Sequence, residues 1–77
     1  MLTQSYRERI TVDPDVMLGK PVIKGTRITI ELILKKLSEG MTVEDLLAAY
    51  PHLTKDDVLA ALSYSADVIS QEELIAS

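Results

Sequence analysis

One short pattern occurs four times in the chain and marks the places where helices can begin. In each copy an apolar residue precedes a serine or threonine, and another apolar residue follows four positions after the hydroxyl residue. Such a hydroxyl accepts a hydrogen bond from the first turn of a helix, and the two apolar side chains pack across the start. The hydroxyl residues are Thr29, Thr42, Thr54 and Ser70. The pattern predicts a mainly α fold, a bundle of three to four helices.

The predicted helices end where the sequence supplies a stop. The first spans 30–39 and ends at Gly40, because glycine readily adopts the left-handed conformation of a helix cap. The second spans 43–50, and Pro51 prevents its continuation. The third spans 55–69 and is apolar on more than one face, so we expect it to contact both its own core and a partner chain. A short fourth helix is predicted over 71–76.

The residues before the first helix carry strand and turn signals. Residues 7–12 alternate between polar and apolar, which is typical of a short strand, and a turn is expected at 13–15 around Pro14. Residues 16–18 and 20–23 are predicted to be two further brief strands. We therefore expect an N-terminal β arm or hairpin.

Size limits how stable such a chain is alone. The 77 residues make a single domain, with a basic β arm over 1–28 and a helical body over 29–77. Without cysteine there is no disulfide to reinforce a small core, and very short strands are marginal in water. We therefore expect a homodimer, formed by strand pairing or strand exchange. No apolar run is long enough for a membrane span, so the expected location is the cytoplasm, away from membranes.

Charge is divided unevenly along the chain. Residues 1–36 carry a net charge of +3 and residues 37–77 a net charge of −7. This division indicates an anion-facing front and an acidic back, although short chains often divide charge unevenly by chance. The candidate contacts to a protein partner or a nucleic acid are the arm cations Arg7, Arg9, Lys20, Lys24 and Arg27. The alternative is that these cations only keep an edge strand soluble.

Glycines and prolines surround these cations in the segment 19–27, which is predicted to be a shaped connection. A phosphate-binding loop is excluded, because Pro14 and Pro21 occupy positions where that motif needs glycine and a hydroxyl residue. The residues predicted to shape the backbone are Gly19, Pro21, Gly25, Thr26, Gly40 and Pro51.

Catalytic and metal-binding residue sets are not recognisable in the sequence. His52 is the only histidine and no cysteine accompanies it, so a zinc site is not expected. The carboxylates of Asp56 and Asp57 suit the first turn of a helix, where their negative charge interacts favourably with the helix dipole. We expect no enzyme activity, no cofactor and no metal.

The second and third predicted helices have the outline of a helix-turn-helix. The third helix begins Lys55-Asp56-Asp57, and two acids at that position would repel DNA phosphates. This helix pair is therefore interpreted as scaffold, and the basic arm is the better candidate if nucleic acid binds.

The order of motifs resembles the small prokaryotic "domain of unknown function 433" family. The resemblance rests on a strand followed by Asp13-Pro14, then the segments 19–23 and 25–28, a helix ending at Gly40, and the connection 50–54. It implies a homeodomain-like helical fold with a short β arm. It also implies an antitoxin of a two-gene toxin–antitoxin module, paired with a nuclease toxin of PIN type. The rival hypotheses are a DNA-binding transcriptional regulator and a structural homodimer without a ligand.

Overall fold

The computed structural model describes the backbone of residues 8–76 and the side chains of residues 8–71. A two-stranded antiparallel hairpin comes first and three helices follow, as the sequence predicted. The elements are β1 (Ile10–Val12), β2 (Pro21–Ile23), α1 (Ile30–Ser38), α2 (Val43–Ala49) and α3 (Lys55–Ala76). Among the described residues, no helix is long and apolar enough to cross a membrane.

The hairpin pairs Ile10 with Ile23, Thr11 with Val22 and Val12 with Pro21. Pro21 lacks a backbone N–H, and it stands at the first position of its strand, where that loss is tolerated. β1 begins at Ile10, later than the predicted strand over 7–12, because Glu8 and Arg9 are helical. Arg7 lies outside the described residues.

A left-handed turn replaces the predicted strand over 16–18. Met17, Leu18 and Gly19 form a single short 3₁₀ turn, and their φ angles are 49°, 59° and 81°. The preceding turn at Pro14 is confirmed by the 2.9 Å bond from the Val16 N–H to the Asp13 carbonyl. The apolar residues here suggested a strand, but the chain must reverse direction within eight residues to pair β1 with β2.

Helix α1 begins and ends at the signals read from the sequence. The Thr29 hydroxyl accepts a hydrogen bond from the Leu32 N–H at 3.0 Å. At the other end Gly40 has φ +102°, its N–H bonds the Leu37 carbonyl, and the Met41 N–H bonds the Lys36 carbonyl. These two bonds form a Schellman motif, which satisfies the last carbonyls of the helix.

Helices α2 and α3 both begin with a capping box. In α2 the Thr42 hydroxyl accepts from the Asp45 N–H, and the Asp45 carboxylate accepts from the Thr42 N–H. The same reciprocal pair joins Thr54 and Asp57 at the start of α3. Pro51 comes two residues after the end of α2, and Tyr50 before it has left the helical conformation, with φ −126° and ψ 87°.

The predicted break at Ser70 is wrong, because α3 continues without interruption to Ala76. Ser70 follows an apolar residue as the three true caps do, but neither glycine nor proline lies between positions 55 and 76. Without such a residue the backbone continues as a helix, and a serine can occupy a mid-helix position. The fold therefore has three helices after the hairpin.

The core joins the hairpin to all three helices. Ile23 of β2 is buried with residues of α1, α2 and α3, so the arm packs on the helical body. The apolar residues on both sides of each confirmed cap also contribute to the core, as expected of a hydrophobic staple. The buried cluster consists of Ile23, Ile30, Ile33, Leu46, Leu53, Val58 and Ala61.

Candidate binding site on the hairpin

Arg9 holds the hairpin against the start of α3. Its Nη1 donates to Asp57 Oδ1 at 3.1 Å, and its Nη2 lies 3.5 Å from Asp56 Oδ2. The Asp57 side chain is only 9% exposed, whereas that of Asp56 is 70% exposed. Because the Asp57 pair is more sheltered from water, it is the stronger of the two contacts. Arg9 therefore has an internal, structural role.

The Asp57 carboxylate serves two parts of the molecule with its two oxygens. Oδ2 accepts from the Thr54 N–H at 3.0 Å and completes the capping box, and Oδ1 receives Arg9. A buried carboxylate is costly unless both oxygens are satisfied, and here each has a donor. The first turn of α3 and the last residue before β1 are thereby fixed to each other.

Lys20 is also engaged, in this case with Glu31 of α1. Its Nζ donates to Glu31 Oε1 at 2.8 Å, between two side chains that are 51% and 69% exposed. The hydrogen bond from Lys20 lowers the pKa of Glu31 below its ordinary value, and the charges of Lys20 and Lys35 act in the same direction. Lys35 lies four positions after Glu31 on α1, a spacing at which helix side chains can pair, but Glu31 forms its ion pair with Lys20 of the arm.

Lys24 and Arg27 make no ion pair with another described residue, unlike Arg9 and Lys20. Both are exposed, and they stand at the ends of the segment 24–27, which we call the cationic turn. Arg7, the fifth predicted contact, lies outside the described residues. Within the described part of the arm, the cationic turn therefore carries the positive charge that is not already paired and can contact a partner.

Thr26 makes the cationic turn rigid. Its hydroxyl donates to the Ile23 carbonyl at 2.7 Å and accepts from the Ile28 N–H at 3.0 Å, while its own N–H bonds the Ile23 carbonyl at 3.0 Å. Gly25 has φ +80°, a conformation that other residues resist. The Gly25-Thr26 pair thus orders the backbone between Lys24 and Arg27.

An open cleft of about 500 Å³ lies beside the cationic turn. Arg27 is the cation in its lining, and Asp13 is the acid. The remaining lining residues are Thr11, Val16, Val22, Gly25 and Thr26. The cleft can receive a small part of a partner, with its charge contacts at Arg27.

Metal binding is not indicated in the part of the chain that the structure describes, where no group of three or more His, Asp or Glu residues converges. The remaining residues predicted to shape the backbone do so. Gly19 and Gly40 have positive φ, Pro21 begins β2, and Pro51 follows α2. Sequence reasoning missed the engagement of Arg9, since its partner Asp57 lies 48 positions away.

Residues 10–65 match the family described as "Protein of unknown function (DUF433)". The chain belongs to this family. It is 32% identical to a DUF433 member protein from Anabaena variabilis ATCC 29413, whose crystal structure it matches with a TM-score of 0.78 over 96% of this chain and 74% of that one.

Two uncharacterised relatives also match. The chain is 34% identical over 59 residues to protein y4eO of Sinorhizobium fredii, a match that covers 77% of this chain but 27% of the relative. It is 67% identical over 24 residues to a protein of Archaeoglobus fulgidus, covering 31% of this chain and 67% of that protein. The chain thus spans about a quarter of the rhizobial relative, whose name states no activity.

Proposed function

We propose that this protein is a non-catalytic binding module, the antitoxin of a pair in which it neutralises a PIN-like nuclease. The observation that supports this is the cationic turn, where Lys24 and Arg27 are exposed and pair with no other described residue. The described residues also offer no converging metal-ligand set. A presented cation pair beside an open cleft suits recognition of an acidic partner.

The proposed contact is between the Arg27 guanidinium and the carboxylates that hold metal ions in such a nuclease. A guanidinium presents a planar fork of N–H donors that matches a carboxylate in two hydrogen bonds. Thr26 already orders the backbone on which Arg27 stands. A contact residue on a rigid turn loses less conformational entropy on binding, so more of the interaction energy contributes to affinity.

The test is co-expression of antitoxin variants with the product of the neighbouring gene, which this proposal requires to be a PIN-like nuclease. We expect Arg27→Glu to reduce neutralisation by at least tenfold, because it places a carboxylate against the partner's carboxylates. The matched control is Lys35→Glu, which makes the same charge reversal at an exposed position of α1. Equal neutralisation by Arg27→Glu and the wild type would refute the contact.

The same variants distinguish a DNA-binding regulator from an antitoxin. Phosphate contacts make affinity fall steeply with added salt, so binding to the promoter of its own gene would weaken strongly between low and physiological salt. The first turn of α3 is poorly suited to such contacts, because Asp56 there is 70% exposed. Salt-sensitive promoter binding that Arg27→Glu abolishes, without any effect on a nuclease, would replace the antitoxin proposal.

A further inference from the structure

Helix α3 leaves an apolar stripe exposed beside the residues that face the core. Leu59, Leu62 and Ile69 are 39%, 41% and 59% exposed, and Ala66 between them is exposed as well. Their spacing of three and four residues places them along one side of the helix, as in the seam of two paired helices. The core-facing Val58 lies four positions before Leu62 and therefore borders the stripe, whose four side chains remain partly exposed in the described fold.

The stripe is continuous with an apolar groove between α1 and the second half of α3. This groove has a volume of about 310 Å³ and shares Ile69 with the stripe. Leu34 of α1 and Tyr64 and Val68 of α3 also line it, with Val68 39% exposed. The exposed apolar surface of α3 therefore widens toward its C-terminal half, where the helix extends beyond the core.

We propose that this stripe is a self-pairing surface, on which a second copy of the chain lays its own α3 in antiparallel orientation. The spacing supports one register. When Leu59 lies opposite Ile69 of the second copy, Leu62 lies opposite Ala66, and the two-fold symmetry repeats both pairs. Each layer then combines a larger and a smaller or β-branched side chain, as in packed helix pairs.

Charge supports a second copy as the occupant. The segment from residue 37 onward carries a net charge of −7, yet the stripe and its flanking Ser63 and Ser70 carry none. Two acidic molecules can therefore meet along this line without opposing like charges. The same register brings Lys55 of one copy opposite position 73 of the other, which is a glutamate in the sequence. Opposite charges at the two ends of the paired segment favour the antiparallel direction.

The exposed area limits how tight the pairing can be. The exposed fractions of Leu59, Leu62, Val68 and Ile69 amount to roughly 300 Å² of apolar surface per chain, the size of a functional patch on a small protein. A stable interface of standard size buries roughly 800 Å² per partner. We therefore expect a weak, reversible dimer, with a dissociation constant of roughly a micromolar to a millimolar.

Sedimentation equilibrium of the full chain tests the proposal. We expect the wild type to dimerise, and Leu62→Glu to weaken dimerisation at least tenfold, because two carboxylates would then enter the seam. Ala48→Glu makes a comparable change at an exposed position of α2 and should leave the dimer intact. A wild type that remains monomeric up to roughly a millimolar would overturn the proposal, whether the stripe is open or covered by another segment of the chain.

Disulfide cross-linking tests the register, since the chain has no native cysteine. The double variant Leu59→Cys and Ile69→Cys should form a covalent dimer under mild oxidation, while each single variant should not. A parallel pair would instead place residue 59 against residue 59, so efficient cross-linking of Leu59→Cys alone would overturn the antiparallel register. Neither experiment involves the cationic turn, so its outcome is independent of nuclease neutralisation.

Discussion

Replacing the buried Asp57 with alanine should destabilise the protein more than replacing its exposed neighbour Asp56, because both carboxylate oxygens of Asp57 accept hydrogen bonds. The variant loses the acceptor for the Thr54 N–H, and loss of a helix-capping group costs about 1 kcal/mol. It also loses the charged hydrogen bond from Arg9, worth about 1.5 kcal/mol at the lower end of the usual range. Because the Arg9 side chain is 39% exposed, solvent screening reduces that contribution by about half.

The lost cap and the screened Arg9 contact together should lower the free energy of unfolding by about 2 kcal/mol. For a domain of this size that corresponds to a fall in melting temperature of about 10 °C. Urea unfolding followed by circular dichroism measures it, since the chain has no tryptophan but is mainly helical. Asp56→Ala is the matched control. Its carboxylate is 70% exposed and lies 3.5 Å from the same Arg9, so we expect a change below about 0.5 kcal/mol.

A double-mutant cycle separates the two contributions. Combining Arg9→Ala with Asp57→Ala should cost less than the sum of the single changes by about 0.5–1 kcal/mol, because each single change already removes the shared contact. Asp57→Asn keeps an acceptor for Thr54 and should lose only the smaller, charged part. If Asp57→Ala unfolds at the same urea concentration as Asp56→Ala, the two-oxygen arrangement does not carry this stability and the reasoning is wrong.

Three further predictions concern other positions. Leu18→Gly should raise the free energy of unfolding by about 1 kcal/mol, measured by thermal melts. The reason is that Leu18 is 94% exposed, so little packing is lost, and its φ of 59° is strained for a residue with a side chain. A destabilised variant would contradict this. Leu46→Ala should cost about 2–5 kcal/mol in urea unfolding, since the side chain is fully buried; a loss below about 1 kcal/mol would show that the core collapses around it. The backbone N–H of Thr42, and then its side chain, lower the pKa of Asp45 by hydrogen bonding. The stability that this carboxylate gives is therefore present above its unfolded pKa near 4, and it is lost as the pH falls through the lower native value. NMR titration of the carboxyl carbon checks the direction, and a native pKa at or above the unfolded one would refute it.

Local signals in the sequence were enough to place the helices. Thr29, Thr42 and Thr54 cap their helices through bonds to residues three positions away, so each start is decided within a few residues. Gly40 acts in the same local way at the end of α1. Ser70 shows the limit of such signals. A hydroxyl residue permits a helix start, but a break also needs a residue that stops the preceding turn, and α3 has none.

Contacts between distant positions were beyond a sequence reading. Nothing in the sequence around Arg9 indicates that its partner is Asp57 rather than an external anion, because their meeting depends on how the hairpin packs against α3. The left-handed turn at Met17 and Leu18 was missed for a related reason. Apolar residues there follow a strand pattern, and the closure of the hairpin overrides that preference.

The division of charge along the chain therefore has two separate explanations. Two cations of the positive N-terminal part form ion pairs within the molecule. Arg9 pairs with acids at the start of α3, and Lys20 pairs with Glu31. An Arg9→Glu variant that failed to bind a partner would not reveal a binding site, because it would also repel Asp57 and loosen the hairpin. Arg27 has no such internal contact among the described residues. A substitution in the cationic turn that leaves the melting temperature unchanged is therefore needed. Such a variant can separate recognition of a partner from folding of the arm.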